Sequence, residues 1–97
     1  RKALSVNKNS GIWLPRSMRV LGDYYREKGM NRESLAAYQE AIELKPNNAQ
    51  TYLGLGITYW RMNEAGLAKA AWARSMEIDP TNNDARGWLL LAGKTSS

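Results

Sequence analysis

The side chains of this chain that could do chemistry are charged and aromatic, and the tightest set is Arg16, Arg19, Asp23 and Arg26. Spacings of three and four residues bring them to one helical face. Guanidiniums in such a row hold carboxylates through paired N–H donors. Asp23 can instead pair within the chain, with Arg19 four residues before it and Arg26 three after. Bond-making chemistry lacks its usual agents. There is no His and no Cys, which removes the common general base near neutral pH, the thiol nucleophile, disulfides and the commonest metal ligands. The serines have no base beside them. The nearest carboxylates, Glu40 with Glu43 and Asp23 with Glu27, are spaced as solvent-facing residues of helices. No glycine-rich phosphate loop occurs. The expectation is therefore no enzyme, no metal and no cofactor.

These side chains need a scaffold, and 97 residues supply one small domain. A hydrophobic share of 43% is enough for a packed core. Phe is absent, so the aromatic load falls on four Trp and five Tyr, whose polar tips need partners or solvent. The net charge of +5 is uneven: residues 1–32 hold eight Lys/Arg against two Asp/Glu, and residues 33–97 hold six against seven. Positive character belongs to the first third. No stretch approaches the roughly 20 apolar residues of a membrane span. The opening Arg1-Lys2-Ala3-Leu4, with no initiator Met and no apolar signal region, reads as a piece of a longer protein.

The scaffold shows itself as a pattern that occurs twice. Leu21-Gly22, Tyr25 and Pro46 recur as Leu55-Gly56, Tyr59 and Pro80, each shifted by 34 residues. Ala36/Ala70, Ala37/Ala71, Glu43/Glu77 and Asn48/Asn82 obey the same shift. A period of this size marks stacked helical hairpins. Met18, Leu21, Gly22 and Tyr25 share one helical face. Helices are predicted near 15–28, 31–45, 48–62, 64–78 and 83–93. Gly29 suits a left-handed C-terminal cap, and Asn31, Asn63, Asn48 and Asn82 are placed as caps at the breaks. Lys94-Thr95-Ser96-Ser97 reads as a frayed tail. Ala3 to Asn9 resembles Ala41 to Asn47, so residues 1–14 read as the end of a preceding repeat and a join carrying Trp13.

These slots resemble the tetratricopeptide repeat. One copy has Met18, Leu21, Gly22, Tyr25, Ser34, Tyr38, Ala41 and Pro46. The other has Tyr52, Leu55, Gly56, Tyr59, Ala68, Trp72, Ser75 and Pro80. The resemblance implies an all-α fold of antiparallel helix-turn-helix repeats stacked as an α-solenoid with a right-handed superhelix. Residues 15–48 are one repeat, 49–82 the next, and 83–97 a capping helix with its tail. Small residues at Gly22, Ser34, Gly56 and Ala68 let paired helices approach, and Tyr38 and Trp72 fill the space between pairs.

The resemblance also implies a concave groove, lined by the first helix of each pair, that binds a peptide or partner-protein segment. The residues expected to face it are Arg16, Arg19, Asp23, Arg26, Leu53, Ile57, Trp60, Arg61, Trp88 and Leu91. An arginine-rich first section beside an apolar, Trp-bearing second suits a segment mixing acidic and apolar residues. Some members of the family clamp the C-terminal carboxylate of chaperones. The matching positions here are Arg19, Asp23, Ile57, Asp84 and Trp88. Only Arg19 keeps that chemistry, so no such clamp is expected. The alternative reading is self-assembly, because Leu89-Leu90-Leu91 leaves apolar surface wanting a partner. Nucleic-acid binding is disfavoured, since the basic residues alternate with acids after residue 20 and no binding motif accompanies them.

Overall fold

The computed structural model describes residues 15–95. They form five helices: α1 (Pro15–Glu27), α2 (Asn31–Leu44), α3 (Ala49–Arg61), α4 (Ala65–Ile78) and α5 (Asn83–Thr95). Each bound falls within two residues of the expected one. The exception to the expected fraying is α5, which carries on through Lys94 to Thr95. The expected repeat end and join at residues 1–14 lie outside the described residues.

The breaks follow from local chemistry. Gly29 and Asn63, equivalent in the 34-residue register, both take left-handed backbone with φ of 76° and 64°. Met30 N–H then reaches back to the Tyr25 carbonyl, and Glu64 N–H to that of Tyr59, both at 2.9 Å. This is the six-to-one closure that ends a helix on a left-handed residue. Asn48 caps α3 by accepting from Gln50 N–H at 2.9 Å, and Asn82 caps α5 by accepting from Ala85 N–H at 3.2 Å. Asn31 does not cap α2. It lies inside the helix, and the residue before it, Met30, offers no side-chain cap. The sharp left-handed turn at Gly29 has already delivered the chain into the helix one residue earlier.

α1 pairs with α2 and α3 with α4; α2 packs on α3, and α4 on α5. The result is stacked helical hairpins. Two aromatic side chains set the spacing. Tyr38 is fully buried, and a Cβ added at Gly22 would lie 2.7 Å from its ring. Its hydroxyl end occupies the space over Gly54 on the next repeat. Trp72 is likewise fully buried, with its indole Nε1 nearest to where a Cβ at Gly56 would stand and its Cδ1 2.6 Å from that point. Glycine is required at 22, 54 and 56 because ring and backbone share the same space.

Polar groups inside the stack find one another. Ser34 Oγ donates to the Gly22 carbonyl at 2.9 Å and lies 3.0 Å from Thr58 Oγ1. Ser75 Oγ donates to the Ala49 carbonyl at 2.8 Å and accepts from Asn82 Nδ2 at 3.0 Å. Each bond ties one helix to another across a buried gap. Glu40, expected on a solvent-facing surface, is buried at 3% exposure, whereas Glu43 is exposed. α2 packs on both α1 and α3, so its buried arc is wider than an apolar stripe alone indicates.

Candidate functional site

α1 touches α3 directly, so the first helices of the two repeats line a common side of the stack. Sequence reasoning put its candidate residues on that side. Arg16 lies in the first turn of α1, and its side chain falls outside the described part. The other α1 residues come together. Arg19 Nη1 is 3.1 Å from Asp23 Oδ2, and Arg26 Nη2 is 3.6 Å from Asp23 Oδ1. The Tyr38 hydroxyl donates to Asp23 Oδ1, and Arg26 Nε donates to the Tyr38 oxygen at 3.3 Å. Arg61 of the next repeat donates to the Arg26 carbonyl at 2.9 Å. Tyr38 therefore links the buried spacer to the polar surface above it.

This arrangement sets the electrostatics. Burial pushes the Tyr38 hydroxyl above the usual tyrosine range, and its hydrogen bond to Asp23 pushes the same way. Burial alone lowers proton affinity at Arg26, but the hydrogen bond and charge of Tyr38, with Asp23 and Glu27, turn the net shift upward. The guanidinium is a permanent cation. Arg19 and Arg26 pair with Asp23, Arg26 also with Glu27 at the edge, and Arg61 adds a third guanidinium on the Arg26 carbonyl, so the cluster keeps a positive excess.

The second section is aromatic. Trp88 stacks on Trp72 with ring centroids 5.3 Å apart and planes 20° from parallel. Trp60 also leans on Trp72, at 5.9 Å and 47°. Ile57, Trp60 and Trp88 are half-buried around this core, and Leu91 is exposed. Leu53 departs from expectation. At 9% exposure it belongs to the core with Ala68 and Trp72 of α4 and Ala85 and Ala92 of α5. Its side chain packs the stack and presents no surface.

Two clefts adjoin the aromatic section. One of about 230 Å³ is lined by Trp60, Asn63 and Ala65, and one of about 250 Å³ by Asn83, Asp84, Gly87, Trp88 and Leu91. Sequence reasoning missed the role of Asn63 and Gly87 as lining. The signal available was the offset of 34 residues, which puts Gly87 where Arg19 and Leu53 stand. Among the described residues no group of three or more Asp or Glu is placed to hold a metal ion. None of the described helices is long and apolar enough to cross a membrane.

Comparison with known proteins agrees with this geometry. A family model described as TPR repeat matches residues 22–63, and one described as Tetratricopeptide repeat matches 49–82. Among curated relatives, the Hsp70-Hsp90 organizing protein of Triticum aestivum is 31% identical over 65 residues, covering 67% of this chain and 11% of that protein. Cellulose synthase operon protein C of Pseudomonas fluorescens is 30% identical over 63 residues, covering 65% of this chain and 5% of that protein. Tetratricopeptide repeat protein 1 of Schizosaccharomyces pombe is 32% identical over 56 residues, covering 57% and 5%. The chain thus spans about a tenth or less of the length of these relatives. With its matched repeats, its stacked hairpins and the small and aromatic slots that space them, the chain belongs to the tetratricopeptide-repeat family, whose members act as non-catalytic protein–protein interaction scaffolds.

Proposed function

We propose that the chain binds an extended or helical segment of a partner protein along the side lined by α1, α3 and α5. The observation that carries this reading is the contrast between its two sections. Arg19, Arg26 and Arg61 form a positive cluster, the first two held by Asp23 and Tyr38 and the third by the Arg26 carbonyl, and Ile57, Trp60 and Trp88 form a half-buried apolar section beside it. Pre-positioned guanidiniums bind carboxylates without a large ordering cost, and partly exposed Trp rings anchor apolar side chains. A segment mixing acidic and apolar residues matches both.

The partner is not the carboxylate tail of a chaperone. One relative bears the name Hsp70-Hsp90 organizing protein, but at the clamp positions this chain has Asp23, Ile57, Asp84 and Trp88. Asp23, engaged by Arg19 and Arg26, and Ile57 offer a carboxylate no donor, Asp84 repels it, and Trp88 is stacked on Trp72. Calorimetry with a pentapeptide taken from a chaperone C-terminus tests this point. No heat of binding is expected at micromolar peptide, and a micromolar Kd would refute it.

One observation favours a second reading, self-association through α5. Leu90 is 64% exposed and stands in the slot of Gly22 and Gly56, where a regular partner helix would need a glycine. Its face is apolar yet unsuited to another regular hairpin. Light scattering separates the two readings.

A further inference from the structure

The cleft on α5 has a composition unlike the rest of the binding side. Its floor is open because residue 87 is glycine: a Cβ there would meet no atom within 4 Å. Its walls are apolar, with Trp88 held flat by stacking on Trp72 and Leu91 45% exposed. At its rim stands Asp84, exposed and without a hydrogen-bond or ion-pair partner among the described residues. The repeats before it carry Arg19 and Leu53 where Gly87 stands, so the opening is particular to this end of the stack.

Resting on the groove reading above, we infer that this cleft receives a lysine or arginine side chain of the bound segment. Such a side chain is apolar along its stem and cationic at its tip. The stem lies over Gly87 between Trp88 and Leu91, and the head group reaches the Asp84 carboxylate. A wholly apolar side chain leaves that carboxylate facing the ligand with no partner, and an acidic one is repelled by it. The bound segment is then bipolar. Its acidic residue lies toward Arg19, Arg26 and Arg61, and its basic residue toward α5. Adjacent packed helices lie about 8–10 Å apart, so the two charges are separated by a run of several residues.

A phage-displayed library of random dodecapeptides is selected on the wild-type chain, on Asp84→Asn and on Gly87→Leu, each checked for helix content. The wild type is expected to enrich peptides with an acidic residue and, several positions away, a basic one. Both variants are expected to lose the basic preference and keep the acidic one. Gly87→Leu adds a side chain whose Cβ meets nothing within 4 Å, and Asp84→Asn keeps the shape and removes the charge. A basic preference that is missing in the wild type, or unchanged in both variants, overturns this inference and leaves the groove reading standing. If no selected peptide depends on Arg19, Arg61 or Trp60, the groove reading fails and this inference with it.

Discussion

The indole of Trp72 stacks on that of Trp88 at 5.3 Å, in the register where Tyr38 of the preceding repeat lies over Gly54. One junction is closed by an aromatic ring against bare backbone, the other by ring against ring. The repeats are thus spaced by the same slot but with different partners. Among the described residues, the Trp-bearing section of the binding side lies at the second junction.

This spacing predicts opposite outcomes for two glycine substitutions. Gly56→Ala drives a methyl into the fully buried Trp72 ring, against Nε1 and 2.6 Å from Cδ1. The overpacking costs about 1–3 kcal/mol, against about 1 kcal/mol gained in helix propensity. Gly87→Ala meets nothing within 4 Å and gains that propensity without strain. Urea denaturation is expected to show a lower midpoint for the first variant and a higher one for the second.

The Tyr38 hydroxyl makes stability depend on alkaline pH. Burial and Asp23 hold its proton more tightly in the folded chain than in the unfolded one, where tyrosine titrates near about 10. The folded state therefore binds more protons above that pH, and its extra stability, fully present below about 10, is lost as pH rises. Tyr38→Phe removes this term and leaves Asp23 and Arg26 short of one hydrogen bond, at a cost of about 1–2 kcal/mol near neutral pH. Melting curves from pH 8 to 11 are expected to fall less steeply for the variant than for the wild type.

Asn82 joins two tasks at the α4–α5 junction. Its oxygen accepts from Ala85 N–H at 3.2 Å, and its Nδ2 donates to Ser75 Oγ at 3.0 Å. Asn82→Ala removes the cap and leaves a buried hydroxyl short of a partner, for a loss of about 1–3 kcal/mol. Amide hydrogen exchange is expected to quicken in α5 before it does in α1. Equal protection in α5 would show that the cap does not hold this helix.

The packing slots were legible in the sequence because close approach and gap filling demand residue size, and size repeats with the period. Gly22, Tyr38, Gly56 and Trp72 all do in the structure what their spacing implied. The charged surface was less legible. That Arg19, Asp23 and Arg26 pair on α1 followed from their spacing, but the Tyr38 hydroxyl reaching Asp23 depends on how far α2 leans over α1. Leu53 was misplaced because it is buried among Ala68 and Trp72 of α4 and Ala85 and Ala92 of α5, residues outside its own helix. Periodicity within a helix carries no information about that.

Self-association through α5 has its own readout. If the exposed Leu90 and Leu91 form a contact between copies, Leu90→Ser lowers the weight-average mass at high concentration. A wild type that stays monomeric across the range removes the second reading and leaves the groove untouched.

The central claim is that the side lined by α1 and α3 binds a partner segment through its arginines. Its most direct test is the affinity of one library-selected peptide, by fluorescence anisotropy, for the wild type and for an Arg19→Glu, Arg61→Glu double variant of unchanged helix content. The account predicts a loss of at least about tenfold, or about 1.4 kcal/mol, with the remainder abolished by high salt. Equal affinity in the two proteins would contradict it.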